Sequence, residues 1–266
     1  MSVKIDPRAE VHLGADLGAD VSIGPFAVVE AGAVVGDGTT IAPQAFIGTG
    51  ARIGKACSIH MGAVVGHVPQ DLRYAGEPTT CEIGDRTTIR EFVTLHRGTG
   101  ETGRTIIGSD NLIMGYVHVA HDCIIGSHVI LANAVMIAGH GEIEDYAVVG
   151  GMTPIHQFVR IGRHSMIGGG YRVAKDVPPY VLAAREPLTY EGLNIVGLRR
   201  RNFPTPVILA LETAYTMIYR SGLNISQAVA EIRGNASLAE VPEVQHILEF
   251  IARSRRGIIP GQRHSQ

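Results

Sequence analysis

The sequence contains no tryptophan, and aromatic residues fill only 5% of its 266 positions, too few for the stacking surfaces on which single-stranded nucleic acid is held. Neither sign of charge dominates: 23 Lys and Arg against 25 Asp and Glu leave a net charge of −2. The basic stripe of a nucleic-acid-binding protein is missing, so no nucleic-acid partner is expected. Long apolar runs are missing too. No stretch approaches the roughly 18 uninterrupted apolar residues of a membrane span. The first thirty residues carry no basic segment leading into an apolar one, so a cytoplasmic location without a membrane span is expected. Cysteine is scarce. Cys57, Cys81 and Cys123 lie far apart and form no CxxC pair, which argues against a disulfide framework and a zinc knuckle.

What the sequence does have is a period of six. Ile5, Val11, Leu17, Ile23, Val29 and Val35 open a register in which 26 of 29 positions between 5 and 173 are Ile, Val or Leu, far beyond chance. The residue four beyond each is usually small or β-branched, as at Ala9, Ala15, Val21, Ala27 and Ala33. Two slots per hexad therefore face inward. Neither a helix of period 3.6 nor a simple strand of period 2 needs this rule, but short strands joined by tight turns around a prism do. A β-helix is expected, with Cys57 and Cys123 as structural thiols in the small inward slot.

The exceptions to the register, Asp71, Glu77 and Glu101, fall in two polar, Gly- and Pro-containing stretches, 67–80 and 98–105, which read as loops leaving the prism. Beyond Val173 the period ends. "KDVPPY" reads as a linker, and Thr205 and Pro206 suit the N-cap and first position of a helix closed by Gly222. Further helices are expected near 226–233 and 242–254. The organisation is then a β-helix over 1–190 and a small C-terminal α-helical domain over 191–266. The second part is mildly basic, which suits an acidic or phosphorylated partner.

The hexad pattern resembles the hexapeptide-repeat acyltransferases. That resemblance implies a left-handed parallel β-helix of 18 residues per coil and a homotrimer with active sites in clefts between neighbouring prisms. With 18 residues per coil, His121 stacks under Gly139 and Gly139 under Gln157, while His140 and His156 fall within one residue of the same column. Three histidines and a glycine amide thus converge on one edge. Asp122 can orient His121 only if a turn lies there, because adjacent strand residues face opposite ways. Zinc enzymes on the same repeat use a histidine pair five residues apart, a spacing that the repeat region here lacks. No metal is expected, and an unmetallated histidine suits general-base work.

The segments "QDLRYAGEPT", "LHRGT", "HVAHDC", "GGMTPIHQF", "DVPPY" and "GLRRR" extend the resemblance to the UDP-N-acetylglucosamine O-acyltransferase family along nearly the whole chain. It implies transfer of an (R)-3-hydroxyacyl group from acyl carrier protein to the glucosamine 3-position of UDP-N-acetylglucosamine, the first step of lipid A synthesis, without a cofactor. His121 matches the general base, Asp122 the acid that orients it, and Gly139 the oxyanion donor. His118, His140, His156 and Gln157 match substrate contacts, and Asp71 a sugar contact from a neighbouring chain, with Arg73 beside it where a lysine is usual. Asn194 and Arg200 match nucleotide-binding positions, Arg201 adds a charge for the diphosphate, and Gly169 matches a ruler for acyl length. Val196 and Pro187 stand where the family has a glutamate and often a histidine. Acyl transfer to the 3-amino analogue of the sugar is the first alternative. A zinc-dependent, carbonic-anhydrase-like protein and a non-catalytic scaffold are the others.

Overall fold

The computed structural model describes residues 2–262. Apart from two excursions, strands of mostly two residues follow one another every six positions from Lys4–Ile5 to Met166–Ile167. They wind around a three-sided prism whose first sheet starts at Lys4–Ile5, second at Glu10–Val11 and third at Asp16–Leu17. Each strand pairs in parallel with the one a full turn later, Lys4 with Ser22, Glu10 with Val28 and Asp16 with Val34. This is a left-handed parallel β-helix of eighteen residues per coil.

The hexad positions explain the core. Ile23, Val29 and Val35 are buried, and so are the small residues Val21, Ala27 and Ala33, because one slot lies on a strand and the other at the inside of a corner. Cys57, Cys81 and Cys123 are buried in the same way, and burial pushes the Cys81 and Cys123 thiols up to about 12, which makes them inert. Only the first coil is open, with Ile5 45% exposed, since it has a neighbour on one side alone. At the corners the chain turns through the left-handed region even without glycine, as at Asp20 (φ 57°), Asp122 (φ 59°) and His140 (φ 59°). Such residues are uncommon. Here the coil below compensates them by accepting their amides, as His121 O accepts from His140 N at 3.1 Å.

Both loops leave from the corner between the second and third sheets. The first is tighter than its polar stretch at both ends and the second starts one residue earlier and ends two earlier than its own, with strands Val64–His67, Thr80–Ile83 and Arg104–Ile107 lengthened to four residues. Thr80 pairs with Arg104 and Cys81 with Thr105, leaving 68–79 and 97–103 as loop.

After Ile167 and the 175–180 linker the chain makes a last parallel strand, Val181–Ala184, and an antiparallel partner, Thr189–Leu193, a hairpin that no hexad marks. Helices follow at Ile195–Arg200 (α1), Thr205–Arg220 (α2), Ile225–Gly234 (α3), Ala236–Ala239 (α4) and Pro242–Ala252 (α5). α2 begins one residue earlier than the sequence suggested, with extended Pro204 as N-cap and Thr205 inside the helix.

A buried polar knot fastens the helices to the prism. Asp176, fully buried, accepts from Arg160 N at 2.8 Å and from Ser254 Oγ at 2.6 Å. The Arg160 guanidinium donates to Phe250 O and lies 4.3 Å from the Phe250 ring centroid. Asp176→Ala strands the buried Arg160 amide and the half-buried Ser254 hydroxyl, so the unfolding free energy is expected to drop by about 3 kcal/mol. The midpoint in urea checks this, and a shift worth under about 1 kcal/mol would remove the knot from the stability argument.

Candidate active site

The corner between the second and third sheets carries His121 and Asp122 in one coil, Gly139 and His140 in the next, and His156 and Gln157 in the one after. The turn at Asp122 brings two sequence neighbours to the same side. Asp122 Oδ2 lies 2.7 Å from His121 Nδ1. The carboxylate also receives the Thr99 amide on Oδ1 at 3.1 Å, the Thr99 hydroxyl on Oδ2 at 2.7 Å and the Thr102 hydroxyl on Oδ1. Burial alone would raise the Asp122 carboxyl, but donation from Thr102, His121 and Thr99 outweighs it and holds the group below its ordinary value. An ionised carboxylate only accepts hydrogen bonds. His121 Nδ1 therefore carries the proton, and Nε2 presents its lone pair to the outer edge.

Gly139 lies directly over this ring. A Cβ there would come within 2.6 Å of His121 Cε1 and 2.7 Å of Nε2, so only glycine fits. Its carbonyl accepts from Phe158 N, whereas its N–H has no acceptor among the described residues. At the corner between the third and first sheets the equivalent amides are capped, Ser127 N by Asp145 Oδ1 and Lys55 N by Asp85 Oδ1, each at 2.8 Å. The Gly139 amide is the free donor beside Nε2.

Around this pair the structure gathers other polar groups. The His140 ring meets His121 edge-on at 5.3 Å and stacks on Phe158 at 4.6 Å. His140 Nε2 is buried without a hydrogen bond, 3.6 Å from Glu101 Oε2 and 3.8 Å from Asp122 Oδ2. His118, on the second sheet, contacts Thr94 Oγ1 at 2.7 Å through Nδ1 and packs against the buried His96 ring. Burial, then the charge of His121, lowers His118, and burial takes His96 to about 4, so His96 is neutral. His156 Nδ1 lies 3.1 Å from Gln157 O at the same corner, two coils on from His121.

The first loop folds back along the edge of its own chain. Asp71 Oδ2 approaches His121 Nε2 to 3.7 Å, and Arg73 pairs with Asp71 through two hydrogen bonds, which hold the Asp71 carboxyl far below the carboxylate range. Within its own chain Asp71 stands beside His121, and Arg97, at the foot of the second loop, ties the first loop back through the Tyr74 hydroxyl at 2.7 Å. Asp71, Arg73, Glu77, Thr99, Gly100 and Glu101 line a cavity of about 150 Å³ between the loops.

Four other residues lie elsewhere. Asn194 is the N-cap of α1, accepting from Gly197 N while its amide donates to His164 O at the corner between the third and first sheets. Arg200 ends α1, and the Arg201 guanidinium lies 4.3 Å from the Tyr146 ring centroid at that same corner. Gly169 is in the turn between the first and second sheets, stacked on Gly151. One chain does not unite these with His121.

Ligand-type atoms of His121, Asp122 and His140 lie within 4.8 Å of one another, the spacing a metal ion would need. Both Asp122 oxygens already accept two hydrogen bonds each, so the donor set fits a hydrogen-bonded dyad better than a cation. Thr99 and Thr102 escaped the sequence reading. Their only signal was two hydroxyls in a Gly-rich loop, and a loop composition does not say where hydroxyls point.

Residues 176–259 match the family described as UDP-N-acetylglucosamine O-acyltransferase, domain 2, and residues 14–49 and 104–139 match the bacterial transferase hexapeptide repeats. An acyl-[acyl-carrier-protein]–UDP-N-acetylglucosamine O-acyltransferase of Burkholderia lata is 45% identical over 200 residues, 74% of this chain and 76% of its own. The solved UDP-N-acetylglucosamine acyltransferase of Bacteroides fragilis is 46% identical with a TM-score of 0.91, covering 96% of this chain and 99% of that one. The structure of the Acinetobacter baumannii protein is 42% identical with a TM-score of 0.92 over the same shares. By its repeat, its corner site and these relatives, the chain belongs to the UDP-N-acetylglucosamine O-acyltransferase family.

Proposed function

We propose that this protein transfers an (R)-3-hydroxyacyl group from acyl carrier protein to the glucosamine 3-hydroxyl of UDP-N-acetylglucosamine, opening lipid A biosynthesis in the cytoplasm. The observation that carries the reading is the His121 ring, fixed by Asp122 through Nδ1, with Nε2 open beside the free Gly139 amide.

An alcohol cannot attack a thioester at neutral pH unless a base takes its proton as the bond forms. His121 Nε2 accepts the 3-hydroxyl proton while the sugar oxygen bonds to the thioester carbon. The negative charge that develops on the carbonyl oxygen is stabilised by the Gly139 N–H, a donor whose direction the coil has already set. Collapse of the tetrahedral intermediate breaks the carbon–sulfur bond. The imidazolium returns its proton to the departing thiolate, which restores the base. Asp122 stays ionised throughout and stabilises the imidazolium. The family resemblance supports Asp71, Arg73, His118, His140, His156 and Gln157 as contacts to sugar, acyl chain and phosphates.

Asn194, Arg200, Arg201 and Gly169 serve the same site only if copies of the chain stand side by side. We therefore place the active site in the clefts of a homotrimer, where the corner bearing His121 faces a neighbouring prism. The working division is a β-helix over 1–190 that does the chemistry and a helical part over 191–266 that adds nucleotide contacts. Among the described residues no helix is long and apolar enough to cross a membrane.

The test is to offer the protein 3-hydroxyacyl carrier proteins of several lengths with UDP-N-acetylglucosamine or its 3-amino analogue and to read products by mass spectrometry. An ester on the 3-oxygen is expected. Product from the amino sugar alone would keep the mechanism and move the acceptor. No product from any pairing would overturn the reading.

A further inference from the structure

The carboxylate of Asp122 has about four lone-pair sites, and all are taken. His121 Nδ1 uses one, and Thr99 N, Thr99 Oγ1 and Thr102 Oγ1 use the other three. All three of these donors come from the 97–103 loop. The loop is itself tightly held. Gly98 N donates to Thr80 O at 3.1 Å, Thr80 N to Gly103 O at 2.9 Å, and Gly103 N to Thr99 O at 2.8 Å. A Cβ on Gly98 would strike Arg104 N at 2.3 Å, so the loop enters by a path open only to glycine. Thr102 Oγ1 also accepts from Arg104 N at 3.4 Å and lies 3.0 Å from Arg104 O, so its one proton has two acceptors, of which Asp122 Oδ1 is the nearer.

We infer that Thr99 and Thr102 are positioning residues for catalysis: their hydroxyls hold Asp122 as an oriented anion and so set the proton affinity and direction of His121. The inference rests on the proposed acyl transfer and adds to it the residues that tune the base. The remaining donors could come from water at an exposed carboxylate, but the Asp122 side chain is fully buried, so the loop alone supplies them.

Removal of a hydroxyl has a defined sign. With neutral His121, an under-bonded Asp122 anion is destabilised. With protonated His121, the adjacent positive charge supports the anion and the loss matters less. Proton uptake by the pair becomes easier, so the acid limb of the kcat/KM profile moves to higher pH. The other ionisable groups facing the pair are Asp71 and Arg73 from the first loop, Glu101 from the second, His140 from the next coil, and His118 and His96 from the second sheet. They are unchanged in the variants. In the wild type Asp122 is held below its ordinary value and stays ionised across the assay range.

Thr99→Val and Thr102→Val keep shape and remove a hydroxyl, whereas Thr99→Ser and Thr102→Ser keep the donor. Each valine variant is expected to lose about tenfold in kcat, the effect of one hydrogen bond to a charged group. It should also shift the acid limb upward by about half a pH unit or more, with KM for the UDP-sugar within about twofold. Each serine variant should restore the limb. Independently of turnover, the midpoint of the His121 Cε1 proton signal, identified by its loss in His121→Gln, should rise in the valine variants. This readout stands even if the acyl-transfer reading fails. Folded valine variants with wild-type midpoints in both measurements would overturn the inference, as would a kcat loss that serine does not relieve. If one valine variant does not fold, the other and both serine variants decide in the same way.

Discussion

His121→Ala lowers kcat by about a thousandfold, a loss in the middle of the range for removing a positioned general base and equivalent to about 4 kcal/mol of barrier. KM for the UDP-sugar should change far less, because Nε2 makes its proton transfer in the transition state and only a weak contact before it. Steady-state kinetics on the ester-forming reaction checks this. The fold should be untouched, since the ring sits outside the prism and no inward slot is altered. A variant that keeps a tenth of the activity would remove His121 from the role of base and turn attention to His140, whose Nε2 is buried nearby without a partner.

Gly139→Ala should be almost as damaging, although it adds a single methyl. The new Cβ would overlap the His121 ring at 2.6 to 2.7 Å, and the ring has nowhere to go, because Nδ1 is tied to Asp122 and the His140 ring stands edge-on 5.3 Å away. Both the base and the amide donor beside it are displaced at once. A loss of about two to three orders of magnitude in kcat is expected, the scale on which a single oxyanion donor acts. The thermal midpoint should fall by only a few degrees. Kinetics and calorimetry on the same preparation separate the two effects, and an active Gly139→Ala protein would mean that the amide is not the oxyanion donor.

The prism was legible in the sequence because burial enforces it. A polar residue at Ile137 or Val119 would be sealed among apolar side chains, so the aliphatic slot cannot drift, and it reports the coil directly. The stacking of Gly139 on His121 follows from the same count of residues per coil. Residues outside the count were harder. Thr99 and Thr102 reach Asp122 through a loop whose path depends on Gly98, on Gly103 and on the backbone of Thr80, none of which obeys a period. Asp71 approaches its own His121 for a similar reason, since a twelve-residue excursion can return along either edge. The hairpin at 181–193 carries no hexad rule and so leaves no mark in the sequence, and Asn194 gives no outward sign that its side chain caps a helix as well as facing the corner.

The uniform coil register also constrains how this protein can change in length. The strands that flank the two loops pair thirty and twenty-four residues apart, Ser58 with Thr88 and Thr88 with Leu112, so each insertion is a whole number of hexads. A gene that gains or loses whole hexads at a corner leaves every later aliphatic codon facing inward. One codon gained inside a strand turns every downstream isoleucine out toward water until a compensating loss restores the frame. The prism thus has a reading frame of its own, above that of the codons, and length variants that arise naturally should cluster at the corners in steps of six.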